Sequence, residues 1–518
     1  MAARFDLNDQ SVVVIVGSGA GGGALGRELS ARGIKVVCFE AGRRLELSDI
    51  ENDAPKMRAK MSWQDLRYGE GDIPKTDPVF SCKTVGGTTT HWTANCPRFR
   101  DFEFRALSTY GQLEDCNLAD WPLALRDMEP FYDRAELMLG VTGTHGIPRL
   151  PESNNFKVMA AGARNIGYKD FDTYNMAINA ETRDGRAGCL QTGFCSSGCF
   201  ISAKWTTLFT HIPQAEATGF FDLRPECMVT QVLTDDKGKA TGVRYVDKDG
   251  NAFVQKARVV CLAANVVETT RLLLHSTTSR FPNGLANSSD QVGRNYMRQV
   301  ATVVLGLMPA EVHFYKGTQT AGVIRDEVKH DTTRGFSGGY QMHTLSMGPE
   351  RVAAMMDPNG WGKNYASLLR KYKNIAGLNV NGEDPPQQSN RITLHRTEKD
   401  RFGMPVAVVS YRFHRNTLAM LKHAQGRAEA LYRSLGATDV FFSTHFGATH
   451  NMGTARMGTD TATSVCNKWG QTHDIKNLFV SDGSLFVSSA SANPTLTIIA
   501  LALRQAEYLA QQLKSGAV

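Results

Sequence analysis

The feature that most constrains this chain is the run Gly17-Ser18-Gly19-Ala20-Gly21-Gly22, which lies between two short apolar segments. Ser11–Val16 is a β-branched stretch of the kind a buried parallel strand requires, and Lys35–Phe39 is a second. Between them, Ala20–Arg32 has a helical pattern. A G-x-G-x-x-G match alone carries little weight. Placed directly after a strand and at the start of a helix, it permits a tight turn and close backbone approach, so that the helix N-terminus faces a pyrophosphate. Glu40 ends the second strand, where an acidic side chain binds a ribose hydroxyl. The chain is therefore predicted to open with a dinucleotide-binding βαβ unit resting on Gly17, Gly19, Gly22 and Glu40. A buried flavin nucleotide needs a second set of contacts, and Val259–Ala264, an apolar strand ending in Ala263 and Ala264, offers one before the helical stretch Glu268–Leu274.

At 518 residues the chain is long enough for two domains. Its middle third changes character. The strand-like Ala301–Leu307, Arg391–Thr393 and Val406–Tyr411 alternate with a helical Thr417–Ser434, which predicts an antiparallel sheet backed by helices. Strand character returns at Leu478–Val480, and Thr495–Leu513 reads as a closing amphipathic helix. With 42% hydrophobic and 21% charged residues the composition is that of a globular enzyme. The net charge of +7 is spread out, and the densest basic stretch, Arg370, Lys371 and Lys373, lacks interleaved aromatics, which excludes nucleic acid as a partner. No apolar run is long enough to span a bilayer. The polar start, Met1 to Gln10, has no signal-peptide pattern, so on its face the chain is expected in the cytoplasm.

Four further segments follow in order: Val85-Gly86-Gly87-Thr88-Thr89-Thr90-His91-Trp92; Asp120-Trp121-Pro122 running to Glu129-Pro130-Phe131-Tyr132 and Ala135-Glu136; His450-Asn451-Met452-Gly453-Thr454-Ala455-Arg456-Met457-Gly458; and Asn493-Pro494-Thr495-Leu496-Thr497. Together with the N-terminal turn they resemble the glucose–methanol–choline (GMC) oxidoreductase family over nearly the whole chain. Within it they are most similar to gluconate and glucoside dehydrogenase large subunits, with a likeness to pyranose oxidases. The resemblance implies an α/β fold in which a Rossmann-type FAD-binding domain (1–150, 200–298 and 446–518) is interleaved with a substrate domain of antiparallel sheet plus helices (299–445), as in p-hydroxybenzoate hydroxylase. A segment at 151–199 is expected to connect them.

The same resemblance assigns roles. His450 and Asn493 match the family's catalytic pair. Hydride leaves a carbinol carbon only as the hydroxyl proton departs, so a base must sit against that hydroxyl, while an amide can hold the oxygen without competing for the proton. His91 matches the position that bonds covalently to the flavin in pyranose oxidases and gluconate dehydrogenases. Gly86, Gly87, Trp92, Val229, Ala263, Asp482, Gly483, Pro494 and Thr495 are expected around the cofactor, with the last helix aimed at the flavin pyrimidine. His445, Gln341, His343 and Asn390 are weaker candidates for lining the substrate.

Cys189, Cys195 and Cys199 follow a Cys-x5-Cys-x3-Cys spacing on a glycine-rich loop. The residues leave a disulfide, a zinc site, spare thiols or a three- or four-iron cluster open. Relatives that carry a cysteine cluster here bind iron–sulfur in some cases, which implies a one-electron exit from the flavin. The expected activity is oxidation of a secondary alcohol of a sugar or glycoside, with electrons passed to a quinone-type or cytochrome acceptor. The alternatives are an oxygen-using pyranose or glycoside 2- or 3-oxidase and a flavin-binding protein without catalysis. In the dehydrogenase branch a small companion subunit carries the export signal, so the periplasm is the expected location.

Overall fold

The structure is a computed structural model and describes residues 4–357, 359–443 and 449–518. Val13–Val16 is the central strand of a five-stranded parallel sheet ordered Leu478–Val480, Val259–Leu262, Val13–Val16, Val36–Phe39, Phe221–Arg224. Its three central strands are buried on both faces, which is why they read as unbroken apolar runs rather than alternating ones. The helices Ala20–Ser30 and Thr495–Ser515 pack against each other over this sheet. The sheet takes strands from the start, middle and end of the chain, so the nucleotide layer closes only when residue 480 is in place.

The second layer is a six-stranded antiparallel sheet, ordered Asp439–Phe442, Val300–Leu307, Ile375–Gly382, Tyr340–Thr344, Gly322–Ile324, Phe171–Thr173. Its strands Val300–Leu307, Ile375–Gly382 and Tyr340–Thr344 are covered on both faces, with successive side chains pointing to opposite sides. Val304, Met342, Leu378 and Val380 share a core with Met159 and Ala163 of helix Asn154–Asn165 and with Met420, Ala424 and Leu431 of helix Arg415–Arg433. Residues between them, Gln341, His343, Asn379 and Asn381, carry polar side chains toward the other layer.

Two expectations need correction. The segment 151–199 does more than connect, because Asn154–Asn165 and Phe171–Thr173 are part of the second layer. Arg391–Lys399 and Pro405–Tyr411 do not join the six-stranded sheet. They pair with each other, and Pro405–Tyr411 pairs in parallel with Tyr68–Gly71. The reason is packing: Ile392, Ala407, Val409 and Tyr411 bury against Val266, Val267 and Tyr296 around the helix Val266–His275. Among the described residues no helix is long and apolar enough to cross a membrane.

Candidate active site

The first turn folds as its glycines allow. Gly17 has φ +99°, and a Cβ there would lie 2.3 Å from the Ala263 carbonyl oxygen, so the strand Val259–Leu262 can approach only because the side chain is missing. A Cβ on Gly19 would meet nothing nearer than 3.9 Å, and this position faces open space. That space is a cleft of about 1190 Å³, lined by Gly17, Gly19, Glu40, Gly87, Val229, Ala263, Asp482, Gly483, Pro494 and Thr495, and reaching His450. Glu40 accepts from the Ser18 N–H (3.1 Å) and hydroxyl (2.7 Å) and from the Gly42 N–H (2.9 Å). Burial nevertheless raises its pKa. Glycines where side chains would fill the space, and an acid at one end, give this cleft the shape and donor set that FAD needs.

Four expected cofactor residues do not line the cleft: Gly22, Gly86 and Trp92 stand behind its wall, and His91 borders a neighbouring cavity. Gly22 serves packing, because a Cβ there would lie 1.9 Å from the Gly17 carbonyl oxygen. The Gly86 N–H donates to the Ser18 hydroxyl (2.9 Å), and the Trp92 indole donates to the Trp205 carbonyl (2.9 Å). They hold the loop that presents Gly87 and His91.

His450 and Asn493 come from two segments that are fixed independently. Beside His450, Asn451 accepts from the Tyr296 hydroxyl, and Met452 forms paired backbone bonds with Met297, both 2.9 Å. Asn493 follows a stretch held on all sides: Gln299 donates to the carbonyls of Ala490 (2.8 Å) and Ala492 (2.7 Å), Ser491 donates twice to Glu103 (3.0 Å each), and Trp121 donates to Ser488 (2.7 Å). This explains part of the Trp121–Tyr132 motif, since Tyr132 also meets Thr497 at 2.8 Å.

The two side chains meet, with Asn493 Nδ2 3.3 Å from His450 Nε2. The amide cannot turn round. Its Oδ1 accepts from the Tyr174 hydroxyl (2.8 Å) and from Gln341 Nε2 (3.1 Å), and Gln341 also donates to the Tyr174 oxygen (2.6 Å). With its oxygen taken by donors, Asn493 presents N–H to His450, so His450 Nε2 presents its lone pair. Although the histidine keeps some surface open to the cleft, burial lowers its pKa to about 4 and it is neutral at pH 7.

His91 is buried, its Nε2 has no hydrogen-bond partner among the described residues, and its ring lies 4.4 Å from that of Phe80. Burial, with help from Lys204, lowers its pKa to about 3. Phe80 lines the cleft and also a second cavity of about 1800 Å³, which His91 borders. The ammonium of Lys204 donates to the carbonyls of Thr90 (2.9 Å) and Trp92 (2.8 Å), on either side of His91, and to that of Cys195 (2.6 Å). One buried cation thus ties the His91 loop to the cysteine loop. Cys189, Cys195 and Cys199 are free thiols, and all three line a small third cavity. Among the described residues only Asp133, Glu136 and His145 bring three potential ligand atoms within 4.8 Å of one another. The three sulfurs are therefore spread wider than the roughly 3.8 Å that tetrahedral zinc with ~2.3 Å Zn–S bonds requires.

Gln341 and His343 lie beside the pair as expected. Asn390 does not, because both ends of its amide are bonded to the Arg412 backbone. His445 lies outside the described residues. Sequence reading missed Tyr174, Asn379 and Asn381. For the two asparagines the signal was present: Asn379 and Asn381 alternate within the otherwise apolar Ile375–Gly382 just as Gln341 and His343 do within Tyr340–Thr344.

A dinucleotide cleft that ends on a neutral imidazole accepting from an oriented amide belongs to the flavin-dependent oxidoreductases. The chain matches the GMC oxidoreductase family over residues 76–301 and again over 386–502. It is 32% identical to the 2-methyl-1,2-propanediol dehydrogenase of Mycolicibacterium austroafricanum, over 97% of this chain and 96% of that one. It is 28% identical to the fructose dehydrogenase large subunit of Gluconobacter japonicus, over 97% and 98%. The fold is shared with the formate oxidase of Aspergillus oryzae RIB40, with a TM-score of 0.69 at 15% identity over 98% of this chain and 99% of that one. The chain belongs to the GMC oxidoreductase family and is an FAD-dependent enzyme acting on CH–OH groups.

Proposed function

We propose that this enzyme oxidises a secondary alcohol of a sugar or glycoside, with His450 as the base, and passes the electrons to a partner or quinone-type acceptor. The observation that carries the reading is the orientation of Asn493. Two donors on its oxygen leave its N–H to hold the substrate oxygen and leave the His450 Nε2 lone pair to take the hydroxyl proton. FAD, held by the first turn, Glu40, Ala263, Asp482 and Gly483, supplies the hydride acceptor. Burial keeps His450 uncharged before reaction, and Asn493 is neutral in every protonation state, so the substrate enters without displacing a counter-ion.

Two finer assignments accompany this reading. The partnerless, neutral Nε2 of His91 supports covalent attachment of the flavin there. The wide spacing of the Cys189, Cys195 and Cys199 sulfurs supports an iron–sulfur cluster over a single ion, and Lys204 joins their loop to the His91 loop. Such a cluster supplies a one-electron exit, which favours a dehydrogenase over an oxidase. We infer further that the enzyme works in the periplasm with a small companion subunit and a cytochrome acceptor, a reading supported by its similarity to a dehydrogenase large subunit. The test compares substrate-dependent dye reduction with peroxide formation in air. Dye reduction at least about tenfold faster, lost in His450→Gln, is the expected result, and peroxide formation at an equal rate refutes the acceptor assignment.

A further inference from the structure

We propose that the second cavity, beside Phe80 and His91, is a separate binding site for the electron acceptor, a small quinone that docks away from the alcohol. The inference deepens the reading above and rests on it for the direction of electron flow.

The cavity shares Phe80 with the cofactor cleft, and it shares Asn52, Thr192 and Gly193 with the cysteine cavity. It therefore lies between the two places proposed to hold redox groups. Neither His450 nor Asn493 lines it, so a molecule bound here lies away from the proposed base and is not the alcohol being oxidised. An acceptor needs nearness to the flavin edge instead. His91, the residue proposed to carry that edge, borders the cavity, and its ring lies 4.4 Å from that of Phe80.

Local structure explains the walls. Helix Ala54–Met61 is capped by Asp53, whose carboxylate accepts from the Lys56 N–H (3.0 Å). Ala54, Arg58 and Met61, at i, i+4 and i+7, share the face of this helix that lines the cavity. The Arg58 guanidinium lies over the Phe80 ring, 5.1 Å from its centroid, and its N–H groups are not taken by any carboxylate or carbonyl among the described residues. Elsewhere on the wall Tyr315 and Tyr372 stack 5.0 Å apart, their planes 10° from parallel. Both hydroxyls are engaged, that of Tyr372 by the Met347 carbonyl (2.6 Å) and that of Tyr315 by His313 Nδ1 (2.9 Å), so the two residues offer ring faces. Phe194 adds a fourth ring to the lining. Ring faces to stack on and a guanidinium with N–H groups to give match a planar ring whose carbonyl oxygens only accept. The stoichiometry closes without another reactant. Oxidation of the alcohol to a ketone releases two electrons and two protons, and the quinone takes up two of each and leaves as the hydroquinone.

The test uses the complete flavoprotein and duroquinone, whose fully methylated ring does not alkylate the cysteine thiols. Equilibrium dialysis against the oxidised enzyme is expected to find one bound duroquinone that methyl glucoside does not displace. Ala54→Trp, which fills the cavity, should weaken that binding by about tenfold or more. Arg58→Trp, at an exposed position on the same helix face, should do the same and decides the matter if Ala54→Trp does not fold. In turnover with methyl glucoside, tetramethylhydroquinone should compete with duroquinone and not with methyl glucoside. Competition with methyl glucoside means that both molecules share one site and overturns the proposal. Absence of duroquinone binding overturns it too, as does binding that neither variant weakens. The two readings fail separately. If methyl glucoside does not reduce the flavin, the sugar assignment falls, while dialysis and the reoxidation of photoreduced flavin by duroquinone still judge the cavity. That reoxidation should saturate with duroquinone and be about tenfold slower in either variant at low concentration; native rates in both overturn the proposal.

Discussion

On the proposed mechanism Tyr174 never touches the reacting atoms, yet its hydroxyl should control the rate. Tyr174→Phe keeps the ring and its stacking on His343 but removes two hydrogen bonds, one to Asn493 Oδ1 (2.8 Å) and one from Gln341 (2.6 Å). Gln341 remains on the Asn493 oxygen at 3.1 Å, so the amide is held by one donor instead of two. At about 1 kcal/mol for a neutral hydrogen bond, one to two such bonds amount to about 1–2 kcal/mol. That corresponds to about 5- to 30-fold in a rate. The loss should fall on the first-order rate of anaerobic flavin reduction, measured by stopped flow at saturating substrate, and KM should stay within about twofold. When the amide turns, its oxygen faces His450 Nε2 and favours the tautomer that has no lone pair there to accept the substrate proton. Gln341→Leu should act through the same oxygen, so the double variant should lose less than the sum of the two, with a coupling of about 0.5 kcal/mol or more. A Tyr174→Phe enzyme that keeps the native reduction rate and changes only KM would refute this argument and place Tyr174 against the substrate.

Further outcomes follow from other parts of the structure. The base is needed unprotonated and burial holds its pKa near 4, so flavin reduction should stay flat from about pH 9 to pH 5 and fall below that, as followed by stopped flow; a fall centred near the ordinary histidine value of 6.5 contradicts the burial argument. His91→Ala should yield a protein whose flavin passes into the supernatant on acid precipitation, whereas yellow colour stays in the native pellet. Cys195→Ser should remove iron from freshly purified protein and slow dye reduction more than it slows reduction of the flavin itself. A Cβ at Gly21 would lie 1.7 Å from the Ser481 carbonyl oxygen, so Gly21→Ala should cost about 3 kcal/mol or more in thermal or denaturant unfolding. Gly19→Ala, with 3.9 Å of room, should fold normally and bind FAD less tightly.

What the sequence revealed and what it hid divide along a physical line. The parallel strands and the first turn were legible because a strand buried on both faces is written as an unbroken apolar run, and because glycines at close backbone contacts admit no other residue. The pairing of His450 with Asn493 was legible because each sits inside a local motif. Tyr174, Asn379 and Asn381 were not, since what sets them apart is a neighbour on another strand or loop: Tyr174 is 319 positions from the amide it orients, and Asn379 is 36 from the imidazole it meets. A lone tyrosine in Phe171–Thr173-Tyr174 looks like core, and two asparagines in a strand look like a defect until the opposite strand supplies His343 and Gln341 in register. The sheet assignments failed for the same reason. The residue pattern marked Arg391–Thr393 and Val406–Tyr411 as strands, but which layer receives them depends on Val266, Val267 and Tyr296. Chemistry here lies at the seam between two layers whose strands come from distant parts of the chain. A residue at that seam is recognisable in advance only when it breaks the pattern of its own strand. Paired polar residues two apart in a buried apolar strand, as in Gln341-Met342-His343 and Asn379-Val380-Asn381, are such a break, and each carries a desolvation cost that folding alone gives no reason to bear.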